Sequence, residues 1–147
     1  MSQLVPHRKA FCSALMLALI LSVRSSRAET PALSISIVDM PAVFSPNPAQ
    51  IKAGQAIKWT NDGDTVHTVT TDASQAPDPN WVSVPSGASS FDSGYLKSGE
   101  SFVFTFTVPG VYKYFCLTHE EEGMRGEVHV LPGPGSDDAR GAIRPQN

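Results

Sequence analysis

Alternating apolar and polar residues predict short β-strands along most of the chain. Leu33, Ile35 and Ile37 alternate with serines, and Ile57 and Trp59 alternate with polar residues. A period of two places one face of each strand against a core. The strongest pattern lies in residues 101–108, where phenylalanines and a valine share one face. Similar patterns and β-branched runs predict further strands at residues 66–71, 91–96, 111–116 and 127–131.

Turn-forming residues separate these strands and indicate the fold class. Residues 44–50 contain two prolines, residues 61–64 have the sequence Asn-Asp-Gly-Asp, and Pro109 precedes Gly110. Such clusters are typical of turns. Residues 72–90 contain three prolines and little periodicity, which predicts a long surface excursion with at most one edge strand. Without a sustained helical period, about seven or eight short strands predict an all-β, antiparallel Greek-key sandwich.

The N-terminal segment has the pattern of a secretory signal peptide. A basic stretch ending at Lys9 precedes an apolar run at residues 10–23, and small residues at Ser26 and Ala28 suit cleavage after Ala28. The run is shorter than the roughly 20 apolar residues of a membrane-spanning helix, which favours cleavage over the alternative of an uncleaved anchor. We therefore expect a periplasmic or otherwise exported protein without a membrane span in its mature chain.

Removal of the signal peptide at residues 1–28 would leave a folded domain at residues 29–132 and a tail at residues 133–147. The tail is rich in proline, glycine and charge, which predicts disorder. The mature chain would keep all 14 acidic residues but lose four of the 11 basic ones, so its net charge would be −7. This charge argues against binding to nucleic acid or anionic lipid and favours a cationic partner. We expect a monomer.

The number and position of the cysteines limit the possible functions of the thiol groups. Cys12 lies within the predicted signal peptide, so Cys116 is the single thiol of residues 29–147 and an intrachain disulfide is impossible there. A lone thiol in an oxidising compartment is either buried and inert or bound to something. The residues that follow Cys116 favour the second alternative.

The segment from Cys116 to Met124 has the sequence C-L-T-H-E-E-E-G-M. A thiolate, the imidazole of His119 and a thioether are thereby placed in one loop at the end of a predicted strand. These side chains suit a soft or borderline metal, and the thioether favours copper over zinc. The loop therefore predicts three ligands of a copper site.

A fourth ligand must come from another histidine of the mature chain. In the last predicted strand, two valines should face the core, which places His129 on the outer face. His67 follows a turn and begins a predicted strand, where it can lie at the same end of the sandwich as the loop. The predicted copper ligands are therefore His67, Cys116, His119 and Met124.

Three stretches, residues 52–71, 91–99 and 101–130, carry a family resemblance. They resemble the plastocyanin, pseudoazurin and amicyanin group of cupredoxins. The resemblance implies the cupredoxin fold and one blue type 1 copper ion that alternates between Cu(I) and Cu(II). It also implies transfer of single electrons between redox proteins, such as a basic cytochrome or an oxidoreductase, without enzymatic turnover. Two departures lie in the ligand loop, where Thr118 replaces a common proline and Glu120–Glu122 replaces a rim that is often apolar.

The resemblance further implies roles for residues around the copper ligands. The backbone N–H of Thr68 is expected to reach the Cys116 sulfur. The ring edge of His119 is expected to reach the surface as the route of the electron. The position of Asn61 and Asp62 before the first histidine ligand, and not the resemblance, gives a further expectation: they either brace that loop or simply form its turn.

Other functions remain open on the same residues. One Cys-His-His-Met site would also serve a copper carrier or storage protein, although the chain contains no methionine-rich or histidine-rich tract. A copper enzyme would need an open metal position or a second metal, for which histidines are lacking. A Cys-His hydrolase would leave Met124 without a role.

Overall fold

Residues 30–134 are described by the computed structural model, and they form seven β-strands. The strands are β1 (Leu33–Asp39), β2 (Ala42–Ser45), β3 (Ala49–Lys52), β4 (Gln55–Asn61), β5 (Ser101–Phe106), β6 (Gly110–Phe115) and β7 (Arg125–Leu131). The predicted signal peptide and nearly all of the predicted tail lie outside the described residues.

The strands are arranged in two sheets. One sheet has the order β2-β1-β4-β5 and the other has the order β3-β7-β6. The pairs β1–β4 and β3–β7 run parallel, whereas the remaining neighbours are antiparallel. The predicted all-β sandwich is confirmed. Its two parallel pairs could not be predicted, because side chains alternate with a period of two in both kinds of strand.

An aromatic core joins the two sheets. Trp59 of β4 is fully buried, and its indole N–H donates a hydrogen bond of 3.1 Å to the hydroxyl of Tyr114 on β6. Burial raises the pKa of Tyr114 well above its ordinary value, so the phenol stays neutral. Other members of this core are Ile35, Ile37, Phe44, Ile57, Phe91, Phe106, Tyr112 and Val128. The core fixes β4 and β6, and the candidate site lies in the segments that follow these two strands.

Two of the predicted strands are absent from the described residues. The segments 66–71 and 91–96 form only isolated bridges instead of continuous ladders. The ladder is interrupted because the N–H of Val69 donates to the hydroxyl of Ser93, at 2.8 Å, and not to a backbone carbonyl. The β-branched residues of the first segment are explained by burial, since residues 67–71 are all buried.

The prediction of a turn over residues 44–50 is correct only in its centre. Phe44 belongs to β2 and Ala49 to β3, and only residues 46–48 connect the two strands. Phe44 and Ala49 are both buried, so their packing against the core extends the strands up to the prolines. Strands of four residues beside prolines are too short for their alternation to be recognised.

Residues 72–90 form the irregular excursion that was predicted, without a strand. A short 3-10 turn at Pro79–Trp81 begins at Asp78, whose carboxylate accepts a hydrogen bond of 2.8 Å from the N–H of Asn80. A bridge between Ser83 and Lys113 attaches the excursion to β6. Within residues 30–134, no helix is long and apolar enough to cross a membrane.

Candidate metal centre

Three potential metal ligands meet just beyond the end of β6. The Sγ atom of Cys116 lies 3.6 Å from Nδ1 of His67 and 3.5 Å from Nδ1 of His119. The donor atoms of these three residues all lie within 4.8 Å of one another. His67 and Cys116 are fully buried, and His119 is partly exposed. The fold thus brings His67 beside Cys116, which lies 49 residues further along the sequence.

Met124 closes the loop that begins at Cys116. The N–H of Cys116 donates to the carbonyl of Met124 at 3.0 Å, and the N–H of Met124 donates to the carbonyl of His119 at 3.2 Å. Gly123 turns the chain back with a φ of +71°, a backbone region that favours glycine. Met124 itself is buried. Backbone hydrogen bonds therefore fix the spacing of the loop.

Asn61, at the end of β4, holds the segment that leads to His67. Its side-chain amide donates to the carbonyls of Thr65 and Leu96, at 2.7 and 2.9 Å, and its oxygen accepts from the N–H of Gly63 at 3.0 Å. His67 in turn exchanges two backbone hydrogen bonds with Leu96. Asn61 is fully buried, so water does not compete for these bonds. The predicted bracing by Asn61 is confirmed.

Asp62 contributes to the turn and does not brace the histidine segment. Its exposed carboxylate accepts a hydrogen bond from the hydroxyl of Ser36. Its backbone N–H donates to the carbonyl of Ile37 at 2.9 Å. Both contacts connect the turn to β1, which leaves the bracing role to Asn61.

Three hydrogen bonds tie the histidine segment to the ligand loop. The N–H of Thr68 donates to Sγ of Cys116 at 3.3 Å, as predicted from the family resemblance. The N–H of Leu117 donates to the Thr68 hydroxyl at 2.8 Å. The hydroxyl of Thr118, at the position of the common proline, donates to the carbonyl of Val66 at 2.7 Å. The threonine therefore adds a side-chain hydrogen bond that a proline at this position could not form.

Asp39, at the end of β1, is a neighbour of the site that the sequence did not indicate. Its Oδ1 lies 2.7 Å from Nε2 of His67 and accepts a hydrogen bond of 2.7 Å from the hydroxyl of Thr65. Its Oδ2 accepts from the N–H groups of Asp64 and Thr65 at 2.6 and 3.2 Å. Hydrogen bonds from His67, Thr65 and Asp64 lower the pKa of Asp39 well below its ordinary value. The side chain is therefore an ionised carboxylate.

His129 lies apart from the site, as strand parity predicted. It is in β7, its side chain is 41% exposed, and its Nε2 contacts the carboxylate of Glu127. The valines on either side of it are buried. Among residues 30–134, the histidines close to Cys116 are thus His67 and His119.

The donor atoms fit a copper ion. Two imidazoles and a thiolate suit copper, and a thioether in the same buried loop adds a ligand type that zinc seldom uses. The donor atoms of the two histidines and the cysteine lie within 4.8 Å of one another, close enough to bind one ion together. The observed separations of 3.5 and 3.6 Å agree with one ion shared by both histidines and the cysteine.

Comparison with known proteins identifies the family. Residues 32–131 match the copper binding proteins of the plastocyanin/azurin family. The chain belongs to this family. The matched range contains every strand from β1 to β7 and all four predicted ligands. The prediction of a copper cofactor is thereby confirmed.

Individual members of the plastocyanin/azurin family show the extent of the similarity. Plastocyanin of Scenedesmus fuscus is 35% identical over 92 residues, which cover 60% of this chain and 86% of that protein. The chloroplastic plastocyanin of Tetradesmus obliquus is 36% identical over 88 residues, which cover 60% of this chain, and the chain spans only 58% of its length.

Solved structures show the same fold. A purple cupredoxin from Nitrosopumilus maritimus aligns with a TM-score of 0.50 and 26% identity, over 67% of this chain and 98% of that one. A pseudoazurin from Sinorhizobium aligns with a TM-score of 0.54 over 76% of this chain and 82% of that one, at 19% identity. The predicted cupredoxin fold and the resemblance to this group are confirmed.

Proposed function

We propose that the protein is an exported carrier of single electrons, with one copper ion held by His67, Cys116, His119 and Met124. The observation that carries this proposal is the convergence of two imidazole nitrogens on one buried thiol, with all three donor atoms within 4.8 Å. When bound, copper would supply a one-electron couple between Cu(I) and Cu(II). The protein would supply a ligand arrangement that differs little between the two states.

The described contacts support such a rigid arrangement. Asn61 fixes the segment before His67, and the ligand loop is closed by backbone hydrogen bonds between Cys116 and Met124. The N–H of Thr68 donates to the sulfur and helps to fix its position. Because few side chains need to move, little reorganisation would accompany a change of charge. A closed, buried site of this kind favours electron transfer over turnover of a small molecule.

We propose that Met124 would be a weak ligand of the copper, one that would tune the potential more than it would hold the metal. Replacing Met124 with glutamine should leave copper bound but lower the reduction potential, because an amide oxygen stabilises Cu(II) better than a thioether does. Voltammetry and copper analysis of the purified variant would measure both properties. Loss of copper with an intact fold would make Met124 a principal ligand, and an unchanged potential and spectrum would exclude it as a ligand.

Export is part of the proposal because of the segment before the domain. Residues 1–28 have the order of basic, apolar and small residues found in signal peptides. The related plastocyanin of Tetradesmus obliquus is named as chloroplastic. Periplasmic location with a redox protein as partner is the corresponding proposal for this chain.

In this proposal, the electron passes from the copper through His119 to a cationic partner protein. His119 is the partly exposed member of the site, and Glu121 and Glu122, which follow it in the same loop, are exposed. Negative charge beside the exit would steer a positively charged partner, such as a basic cytochrome, towards the histidine. Charge of this kind acts mainly on the rate of association.

Replacing Glu120, Glu121 and Glu122 with glutamine should slow electron transfer to a cationic cytochrome several-fold at low salt. The difference should shrink at physiological ionic strength, where screening acts over about 8 Å. Stopped-flow mixing of the reduced protein with the oxidised cytochrome would measure the rates. Asp78→Asn, which removes a carboxylate outside the ligand loop, is the control and should change the rate little. If the rate of electron transfer changes with neither the triple substitution nor the salt concentration, docking of the partner at these glutamates would be contradicted.

The same stopped-flow experiment separates electron transfer from copper delivery. An electron carrier should reduce the cytochrome while its copper content stays constant, even with a Cu(I) chelator present. A copper carrier should instead lose Cu(I) to the chelator faster than it passes electrons. Rapid loss of copper together with slow electron transfer would overturn the proposed function.

A further inference from the structure

The imidazole of His67 is held at both of its nitrogen atoms. Nδ1 faces the sulfur of Cys116 at 3.6 Å, and Nε2 lies 2.7 Å from Oδ1 of Asp39 and 3.2 Å from the hydroxyl of Thr65. The ring is fully buried, whereas the Asp39 side chain is 21% exposed. Asp39 therefore joins a buried imidazole to the edge of the protein.

The hydrogen bonds around Nε2 determine which nitrogen carries the proton. The Thr65 hydroxyl donates its hydrogen to Asp39, so its oxygen can only accept from the imidazole. The ionised carboxylate of Asp39 can also only accept. Both neighbours thus require a hydrogen on Nε2, so the neutral imidazole has its lone pair on Nδ1, on the side of Cys116. That lone pair is the one that a metal ligand needs.

The carboxylate lies in a place built to hold it. Its second oxygen accepts the backbone N–H groups of Asp64 and Thr65. A methyl group on Gly63 would lie only 2.6 Å from Cγ of Asp39, so the glycine provides the space that the carboxylate occupies. Rotation of Asp39 away from His67 would break these hydrogen bonds, which makes the contact a fixed feature of the turn.

We infer that Asp39 is a positioning residue that fixes the tautomer and orientation of His67 and, through its charge, lowers the reduction potential of the copper site. The inference rests on the proposed function for its effect on copper, while its effect on the imidazole is a property of the metal-free protein. A negative charge one imidazole away from the metal stabilises Cu(II) more than Cu(I), because Cu(II) has the larger positive charge.

The influence of Asp39 extends to the second imidazole. Nε2 of His119 lies 3.5 Å from the same Thr65 oxygen that contacts His67. The two rings are stacked with their centroids 4.3 Å apart and their planes inclined by 24°. By fixing the Thr65 hydroxyl, Asp39 orients a hydrogen-bond acceptor towards both rings.

Asp39→Asn tests the inference, because asparagine keeps the shape of the side chain but removes its charge. In the metal-free wild-type protein, nitrogen NMR should show the ring hydrogen of His67 on Nε2 alone, and in the variant it should show a mixture of tautomers. Changes in residues around metal ligands alter metal affinity by roughly 10- to 100-fold. If the affinity for Cu(II) falls tenfold while the affinity for Cu(I) stays the same, the reduction potential would rise by about 59 mV.

Two further variants separate the contact from the charge. Asp64→Asn removes a neighbouring carboxylate that does not contact His67, and it should leave the tautomer unchanged and shift the potential by much less. Gly63→Ala keeps the Asp39 charge but displaces the carboxylate, so it should produce the same mixture of tautomers as Asp39→Asn. Near-ultraviolet circular dichroism of each metal-free variant would show that the core is intact.

Three experimental results would show that Asp39 does not position His67. A pure Nε2–H tautomer in Asp39→Asn, or equal shifts of the potential in Asp39→Asn and Asp64→Asn, would overturn it. If Asp39→Asn does not fold, a wild-type tautomer in Gly63→Ala would overturn it as well. Failure of the wild-type protein to bind copper would instead refute the proposed function, and the NMR comparison would still show whether Asp39 holds His67.

Discussion

Replacing Cys116 with alanine is expected to abolish the intense visible band of the copper-loaded protein and to weaken copper binding by more than roughly 100-fold, since changes outside the ligand set already cost up to that much. The band would arise from charge transfer between the thiolate and Cu(II). Cys116 is the one free cysteine among the described residues, so no other thiol in that part of the chain can replace it. Absorption spectra and competition with a chelator would measure both effects.

The histidines of the domain provide matched controls for this experiment. His67→Ala should weaken copper binding and perturb the band, because Nδ1 of His67 lies beside the sulfur. His129→Ala should change neither property, because His129 lies in β7 and pairs with Glu127. A visible band that survives in Cys116→Ala, or that disappears in His129→Ala, would contradict the assigned site.

Replacing Gly126 with alanine should destabilise the fold strongly without touching the proposed ligands. Gly126 of β7 pairs with Tyr114 of β6, and an added methyl group would overlap the Tyr114 phenol ring. Tyr114 cannot move aside easily, because it is fully buried between Phe44 and Trp59. Overpacking usually costs about 1–3 kcal/mol, and we expect a loss of about 3 kcal/mol in the free energy of unfolding.

Denaturant unfolding of the metal-free protein would measure this loss, and a double-mutant cycle would identify its cause. In a Tyr114→Leu background, the smaller and more flexible side chain should relieve the overlap, so Gly126→Ala should cost much less than in the wild type. Equal costs in both backgrounds would show that the ring is not what excludes the methyl group.

The sequence predicted those parts of the fold that depend on a single strand or a single loop. Alternation identified β1 and β4 because one face of each strand meets the core. The Cys116–Met124 spacing identified the ligand loop because the loop closes on itself through local backbone hydrogen bonds. Strand alternation correctly placed His129 away from the site, because this prediction requires only that the neighbouring valines face the core.

Features that depend on distant pairing were not predictable in the same way. Residues 67–71 include β-branched residues because they are buried. The N–H of Val69 donates to the Ser93 hydroxyl, so the backbone pairing of this segment stays limited to isolated bridges. Asp39 is 28 residues before His67, and the sequence Asp-Met-Pro gives no sign of a contact. In the pairing of β1 with β4, Ile37 lies opposite Asn61. This register places the end of β1 beside the segment that contains His67.

Titration of the metal-free wild-type protein with Cu(II), followed by absorption spectroscopy and copper analysis, tests the central claim most directly. The convergence of His67, Cys116 and His119 predicts an intense visible charge-transfer band that grows linearly and stops at one copper per chain. A colourless protein after complete loading, or a band that fails to saturate at one equivalent, would contradict the proposed type 1 copper site.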